Sequence, residues 1–112
     1  MSGITTHVLD TALGKPALGV PVSLRLLEAG EFGETGRATT DADGRVSRFL
    51  PNVPLVAGTY QLVFETAAYF RAASREVFFE RVTLEFHVAD SAQHYHVPLL
   101  LTPFGYTTYR GS

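Results

Sequence analysis

Short runs with an apolar residue at every second position recur along this chain, and that spacing limits its fold more than any other feature. Side chains at i and i+2 share one face of a strand, so each run makes a strand with an inner and an outer face. Ile4 to Asp10 sets Ile4, Thr6 and Val8 on one face and Thr5, His7 and Leu9 on the other. Val20, Val22, Leu24 and Leu26 make the next strand, with Ser23 and Arg25 opposite. Thr59 to Glu65 is rich in the Tyr, Val and Phe that strands favour. Arg81 to Ala89 sets Val82, Leu84, Phe86 and Val88 against Thr83, Glu85 and His87. His94 to Leu101 sends Tyr95, Val97, Leu99 and Leu101 toward a core. His94, His96, Pro98 and Leu100 are left on the face where chemistry could sit.

Turn chemistry separates these runs. Thr11 to Ala17 and Pro51 to Gly58 are loops by their Gly and Pro content. Glu28 to Gly36, with three glycines and three glutamates, is expected to be an exposed turn before a short strand at Arg37 to Thr40. Asp41-Ala42-Asp43-Gly44 predicts a tight hairpin turn, with Arg45 the first residue after it and Val46 to Leu50 a strand or irregular edge. Thr66 to Ala73 is alanine-rich and predicts one short helix capped by Thr66. Asp90 to Gln93 turns into the final pair. There Thr102-Pro103-Phe104-Gly105 should fold Tyr106 to Arg110 back beside His96. Seven or eight short strands and one brief helix predict an all-β, two-sheet β-sandwich, a single domain over residues 1–112.

A chain of 112 residues has room for one core. Its net charge of −2 and lack of a basic stripe argue against nucleic acid. It has no cysteine, which excludes disulfides, thiolate metal sites and cysteine nucleophiles. Its apolar runs are far short of a membrane span. Met1-Ser2-Gly3 leads straight into a strand pattern with no signal-peptide features, so a cytoplasmic location is expected.

Three stretches carry a family resemblance. Thr6-His7-Val8-Leu9-Asp10, Asp43-Gly44-Arg45, and His94 to Pro98 leading to Tyr109-Arg110-Gly111-Ser112 resemble the 5-hydroxyisourate hydrolases, the transthyretin-like proteins of purine catabolism. The resemblance covers essentially the whole chain. In transthyretin proper, the hormone carrier, the residues matching His7, Arg45, His96 and the Tyr-Arg-Gly-Ser end are replaced. The resemblance implies a prealbumin/transthyretin-like sandwich, assembled as a homotetramer that is a dimer of dimers, with sites at the dimer–dimer interface. It implies hydrolysis of the small molecule 5-hydroxyisourate to 2-oxo-4-hydroxy-4-carboxy-5-ureidoimidazoline in urate breakdown, without metal or organic cofactor. The catalytic set it implies is His7, Arg45, His96 and Ser112, with His7, Arg45, Tyr109 and Arg110 binding substrate.

These residue types suit that chemistry. Opening a cyclic acyl-urea by water needs a base, and histidine titrates near neutral pH. Arginine offers a fixed, planar fork of donors to a flat heterocycle rich in carbonyls. Ser112, through its hydroxyl or the terminal carboxylate, could orient a histidine or the water. Two other uses are open to the same residues. His94 and His96 with His7 could form a three-histidine metal site, although no acidic or cysteine ligand is evident beside the pair. A transthyretin-type carrier could bind a small ligand in the channel, but a passive apolar channel has no need of His7, Arg45, His96 and Ser112. His94 alone is more often a surface residue at a strand start, and His87 a solvated one. Asp10 is expected to hold backbone donors of the following loop, and Asp41 and Asp43 to form the turn.

Overall fold

The computed structural model describes residues 3–52 and 54–112. Two sheets face each other across one core. The first contains β1 (Gly3–Asp10), β2 (Lys15–Pro16), β5 (Arg45–Val46), β8 (His94–Thr102) and β9 (Gly105–Thr108), in the order β2-β1-β8-β9 with β5 also paired to β1. The second contains β3 (Pro21–Glu28), β4 (Glu31–Thr39), β6 (Gly58–Phe64) and β7 (Val82–Val88), in the order β4-β3-β6-β7. The helix α1 (Thr66–Ala72) joins β6 to β7. No helix among the described residues is long and apolar enough to cross a membrane.

Alternation decides the burial. β1 reads half-buried and buried by turns from Gly3 to Asp10, with Ile4, Thr6 and Val8 inward. On β8 the inward set is Tyr95, Val97, Leu99 and Leu101, as the spacing requires. These meet Val20, Val22, Leu62 and Phe64 of the opposing side, and Phe70 of α1 closes one end. β1 and β8 run parallel, so the first and last long strands of the chain lie side by side.

Three local expectations are corrected. Glu28 to Gly36 is mostly strand: β3 and β4 meet at a two-residue turn, Ala29-Gly30, where both residues have positive φ (52° and 80°). That is the mirror-image turn whose twist matches a hairpin. Gly33 and Gly36 are strand residues, and Gly36 is glycine because an added Cβ would lie 2.7 Å from the Phe49 Cβ. The Asp41–Gly44 turn does form, but it does not close a hairpin. It carries the chain from β4 in one sheet to β5 in the other. Thr66 is the first helical residue and not the cap: Glu65 holds that position, without a side-chain bond to the helix.

Asp10 fastens the far end of α1 to β1. Its fully buried carboxylate accepts hydrogen bonds from the Tyr69 hydroxyl (2.7 Å) and the Leu13 N–H (3.1 Å), and pairs with the Arg75 guanidinium. Burial alone would raise its pKa, but the hydrogen bonds from Arg75, Tyr69 and Leu13 outweigh burial and hold it below the ordinary carboxylate range. Tyr69 is pushed up to about 12, by burial and then by its bond to that carboxylate.

Candidate active site

Pairing in the first sheet gathers the histidines. His7 lies in the middle of β1, and its antiparallel partner on β5 is Arg45. On its other side β1 pairs with β8, setting Thr5 beside His96 and His7 beside Pro98. Directly paired residues point to the same face. His7, Arg45 and His96 therefore stand together on the outward face of three adjoining strands, with Leu9, Pro98 and Leu100 as apolar neighbours.

The Asp41–Gly44 turn aims Arg45. The Asp41 carboxylate accepts the N–H groups of Asp43 and Arg45, both at 2.9 Å, and the Asp41 N–H donates to the Arg45 carbonyl at 3.0 Å. Gly44 then presses the turn onto β1, its carbonyl taking the Val8 N–H at 2.7 Å. It has φ +74°, and an added Cβ would meet the Val8 carbonyl oxygen at 2.3 Å, so only glycine fits. The turn thus holds β5 against His7.

The last residues run antiparallel to β8. Pro98 has no N–H to donate, and its carbonyl takes the Thr108 hydroxyl at 2.8 Å. The ladder lapses over Tyr109 and Arg110 and resumes where the Gly111 N–H donates to the His96 carbonyl at 2.8 Å. Gly111 lies flat under the His96 ring, since a Cβ there would be 2.6 Å from His96 Cδ2. The register sets the exposed Tyr109 opposite Pro98, on the histidine side. Ser112 is exposed, one residue beyond the bridge to His96. Arg110 differs from its expected position. Because Gly111 faces His96, alternation turns Arg110 to the inner side, where its guanidinium lies 4.5 Å from the Tyr95 ring centroid and donates to Gln93. It covers a cleft of about 290 Å³ left open between the edge strands β7 and β9.

Burial pushes the His96 imidazole below the ordinary histidine pKa, and the electrostatic influence of Arg45, then of the neighbouring His7 and His94, acts in the same direction. Both effects favour the neutral imidazole, the form a general base requires. Thr5 carries no signal of its own in the sequence, yet it belongs to this group. Its Oγ1 lies 2.8 Å from His96 Nδ1 and 2.9 Å from Nε2 of the exposed His94. The sequence does place Thr5 on the His7 face, but only the parallel pairing of β1 with β8 brings it to His96. A hollow of about 750 Å³ opens between the two sheets beside Leu24, Leu26, Phe49 and Tyr60, and it touches Thr5 and His94 but none of His7, Arg45 or His96. Among the described residues, no group of three or more His, Asp or Glu side chains is arranged to hold a metal ion.

Comparison with known proteins places the chain by sequence and by backbone. Residues 4–111 match the HIUase/Transthyretin family. The chain is 47% identical over 114 residues to 5-hydroxyisourate hydrolase 2 of Rhizobium meliloti, covering 97% of this chain and 95% of that one. It superposes on the 5-hydroxyisourate hydrolase of Klebsiella pneumoniae with a TM-score of 0.81 at 41% identity, covering 97% of this chain and 98% of that one. Transthyretin from Sparus aurata superposes with a TM-score of 0.92 at 28% identity, covering 99% and 97%. Backbone shape is thus shared by hydrolase and transthyretin alike, and the side chains must tell them apart.

Proposed function

This chain belongs to the HIUase/transthyretin family and is a 5-hydroxyisourate hydrolase of urate catabolism; we propose that it forms 2-oxo-4-hydroxy-4-carboxy-5-ureidoimidazoline by histidine-activated attack of water on a ring carbonyl. The observation that carries this mechanism is the pairing of His7 with Arg45 and of Thr5 with His96. It supports a common outward face for two imidazoles and a guanidinium.

One histidine takes a proton from water as its oxygen adds to the carbonyl, and the other returns a proton to the ring nitrogen as the C–N bond breaks. General base catalysis of this kind contributes about 10²–10⁴-fold. Arg45 orients the planar substrate and stabilises the oxyanion of the tetrahedral intermediate. Ser112 orients a histidine or the water, and Tyr109 walls the substrate on the Pro98 side. Arg110 acts from behind, anchoring the chain end on Tyr95 so that Gly111 stays under His96.

The face is open in one chain, and excluding bulk water from it requires a second copy. We therefore place the working site at the dimer–dimer interface of a homotetramer. An exposed aromatic group supports self-association: Phe78, Phe79, Phe104 and Tyr106 pack on one another beside the edges β7 and β9. A transthyretin-type carrier shares the backbone but makes no use of a charged, histidine-bearing face. The test is the decay of 5-hydroxyisourate absorbance, generated in situ with urate oxidase, with a chelator present throughout. Rapid decay with the intact protein, and a spontaneous rate with His96→Ala or with Arg110 to Ser112 removed, is expected. Spontaneous decay with all three would leave the carrier.

A further inference from the structure

We propose that His94, Thr5 and His96 form a proton relay, in which Thr5 is a positioning residue that sets the tautomer of His96 and passes its proton outward to His94. The proposal rests on the hydrolase reading and assigns work to two side chains that reading leaves idle. Its basis is one oxygen between two imidazoles, Thr5 Oγ1 at 2.8 Å from His96 Nδ1 and 2.9 Å from His94 Nε2. The strand pairing fixes the arrangement, since Gly3 lies beside His94 and Thr5 beside His96. Thr5 and His96 are half-buried, whereas His94 is exposed.

A hydroxyl has one proton to give and lone pairs to accept with. Placed between two ring nitrogens, it donates to one and accepts from the other, so the tautomers of the two histidines are tied together. When Thr5 donates to His94 Nε2, His96 donates its Nδ1 proton to Thr5 and its Nε2 is bare, ready to act as a base. When Thr5 donates to His96 Nδ1, the Nε2 of His96 carries a proton and is ready to act as an acid.

The exchange balances. His96 Nε2 takes a proton from the attacking water. The Nδ1 proton of His96 then moves to Thr5 as the Thr5 proton moves to His94 Nε2, and His94 releases its own Nδ1 proton to solvent. His96 is left neutral with a proton on Nε2, which resupplies His7 after His7 has protonated the departing ring nitrogen. The reverse movement, with a proton drawn in through His94, restores the first state. His94 is exposed, so the proton it releases in one half of the cycle and takes up in the other exchanges directly with water.

The test compares Thr5→Val, Thr5→Ser and His94→Phe with the intact protein in steady-state hydrolysis of 5-hydroxyisourate at low buffer concentration, resolving kcat from KM. Losing the hydrogen bond that fixes an imidazole should lower kcat about 10–100-fold. Thr5→Val is expected to show that loss with KM nearly unchanged, and Thr5→Ser to recover most of the rate. His94→Phe, at an exposed position on β8, should be slow in weak buffer. Added imidazole should restore it, while leaving the intact protein and Thr5→Val unaffected. Intact protein that hydrolyses substrate, with Thr5→Val equally fast or His94→Phe fast and indifferent to imidazole, overturns the relay alone. Intact protein no faster than the spontaneous reaction removes the hydrolase reading and the relay with it.

Discussion

His96 is held on all sides by features that each have a physical cause: Thr5 on its Nδ1, the Gly111 backbone under its ring, and burial that keeps it neutral. Gly111→Ala would drive a methyl group into the ring, and a displacement near 1 Å costs about 10²-fold in rate. We expect that loss in kcat with little change in the melting curve, because position 111 lies at the sheet edge. The lowered His96 pKa also has a sign. The folded protein holds His96 deprotonated where the unfolded chain, with a pKa of about 6.5, binds a proton. Its contribution to stability is therefore complete above that value and is lost as pH falls through the folded pKa. The acid limb of kcat should lie below about pH 6.5. Arg45→Gln removes one of the charges responsible and should move the His96 titration upward, followed by the NMR shift of its ring proton. An unchanged titration would show that Arg45 does not face His96.

Elements bring these residues together, and they mark where sequence runs out. The outward face of β8, with His94 and His96, and the inward face, with Tyr95, Val97, Leu99 and Leu101, follow from alternation alone. The partner of each face does not. Nothing local to Thr5 indicates that β1 lies parallel to a strand about 90 residues later, because strand pairing is a long-range choice. Glycines mask the β4 strand, and one of them is required by close contact with Phe49. The Asp-Gly turn is legible, but its use as a bridge between sheets is not. Asp41→Ala removes the one carboxylate oxygen that accepts two N–H groups in the turn that aims Arg45. It should raise KM and lower kcat several-fold while the sheets persist, as circular dichroism would check. The Asp10 site sets acid stability. Its folded pKa is lowered, so its stabilisation is present above about pH 3.9 and is lost as pH falls through the folded value. Arg75→Ala leaves that buried carboxylate without its cation and should cost about 3 kcal/mol in urea unfolding at neutral pH, with a smaller difference in acid.

At the scale of the molecule, hydrolase and transthyretin share a sandwich, and we place the difference in the chemistry displayed on one sheet face. In the proposed mechanism, that face is closed to water by a second copy. The exposed Phe78 and Tyr106 stand beside strand edges that could receive one. Sedimentation should give the mass of four chains, and Phe78→Glu should shift it to smaller species with a matching loss of activity. Full activity in a monomer would separate the chemistry from assembly. The most direct test of the central claim is a cycle of His7→Ala, His96→Ala and the double variant, comparing their turnover rates in the hydrolysis of 5-hydroxyisourate. If the two histidines act as one unit, each single change costs about 10²–10⁴-fold and the double variant is little slower than the worse single. A single variant at the intact rate, or losses that multiply in full, would contradict a shared catalytic face.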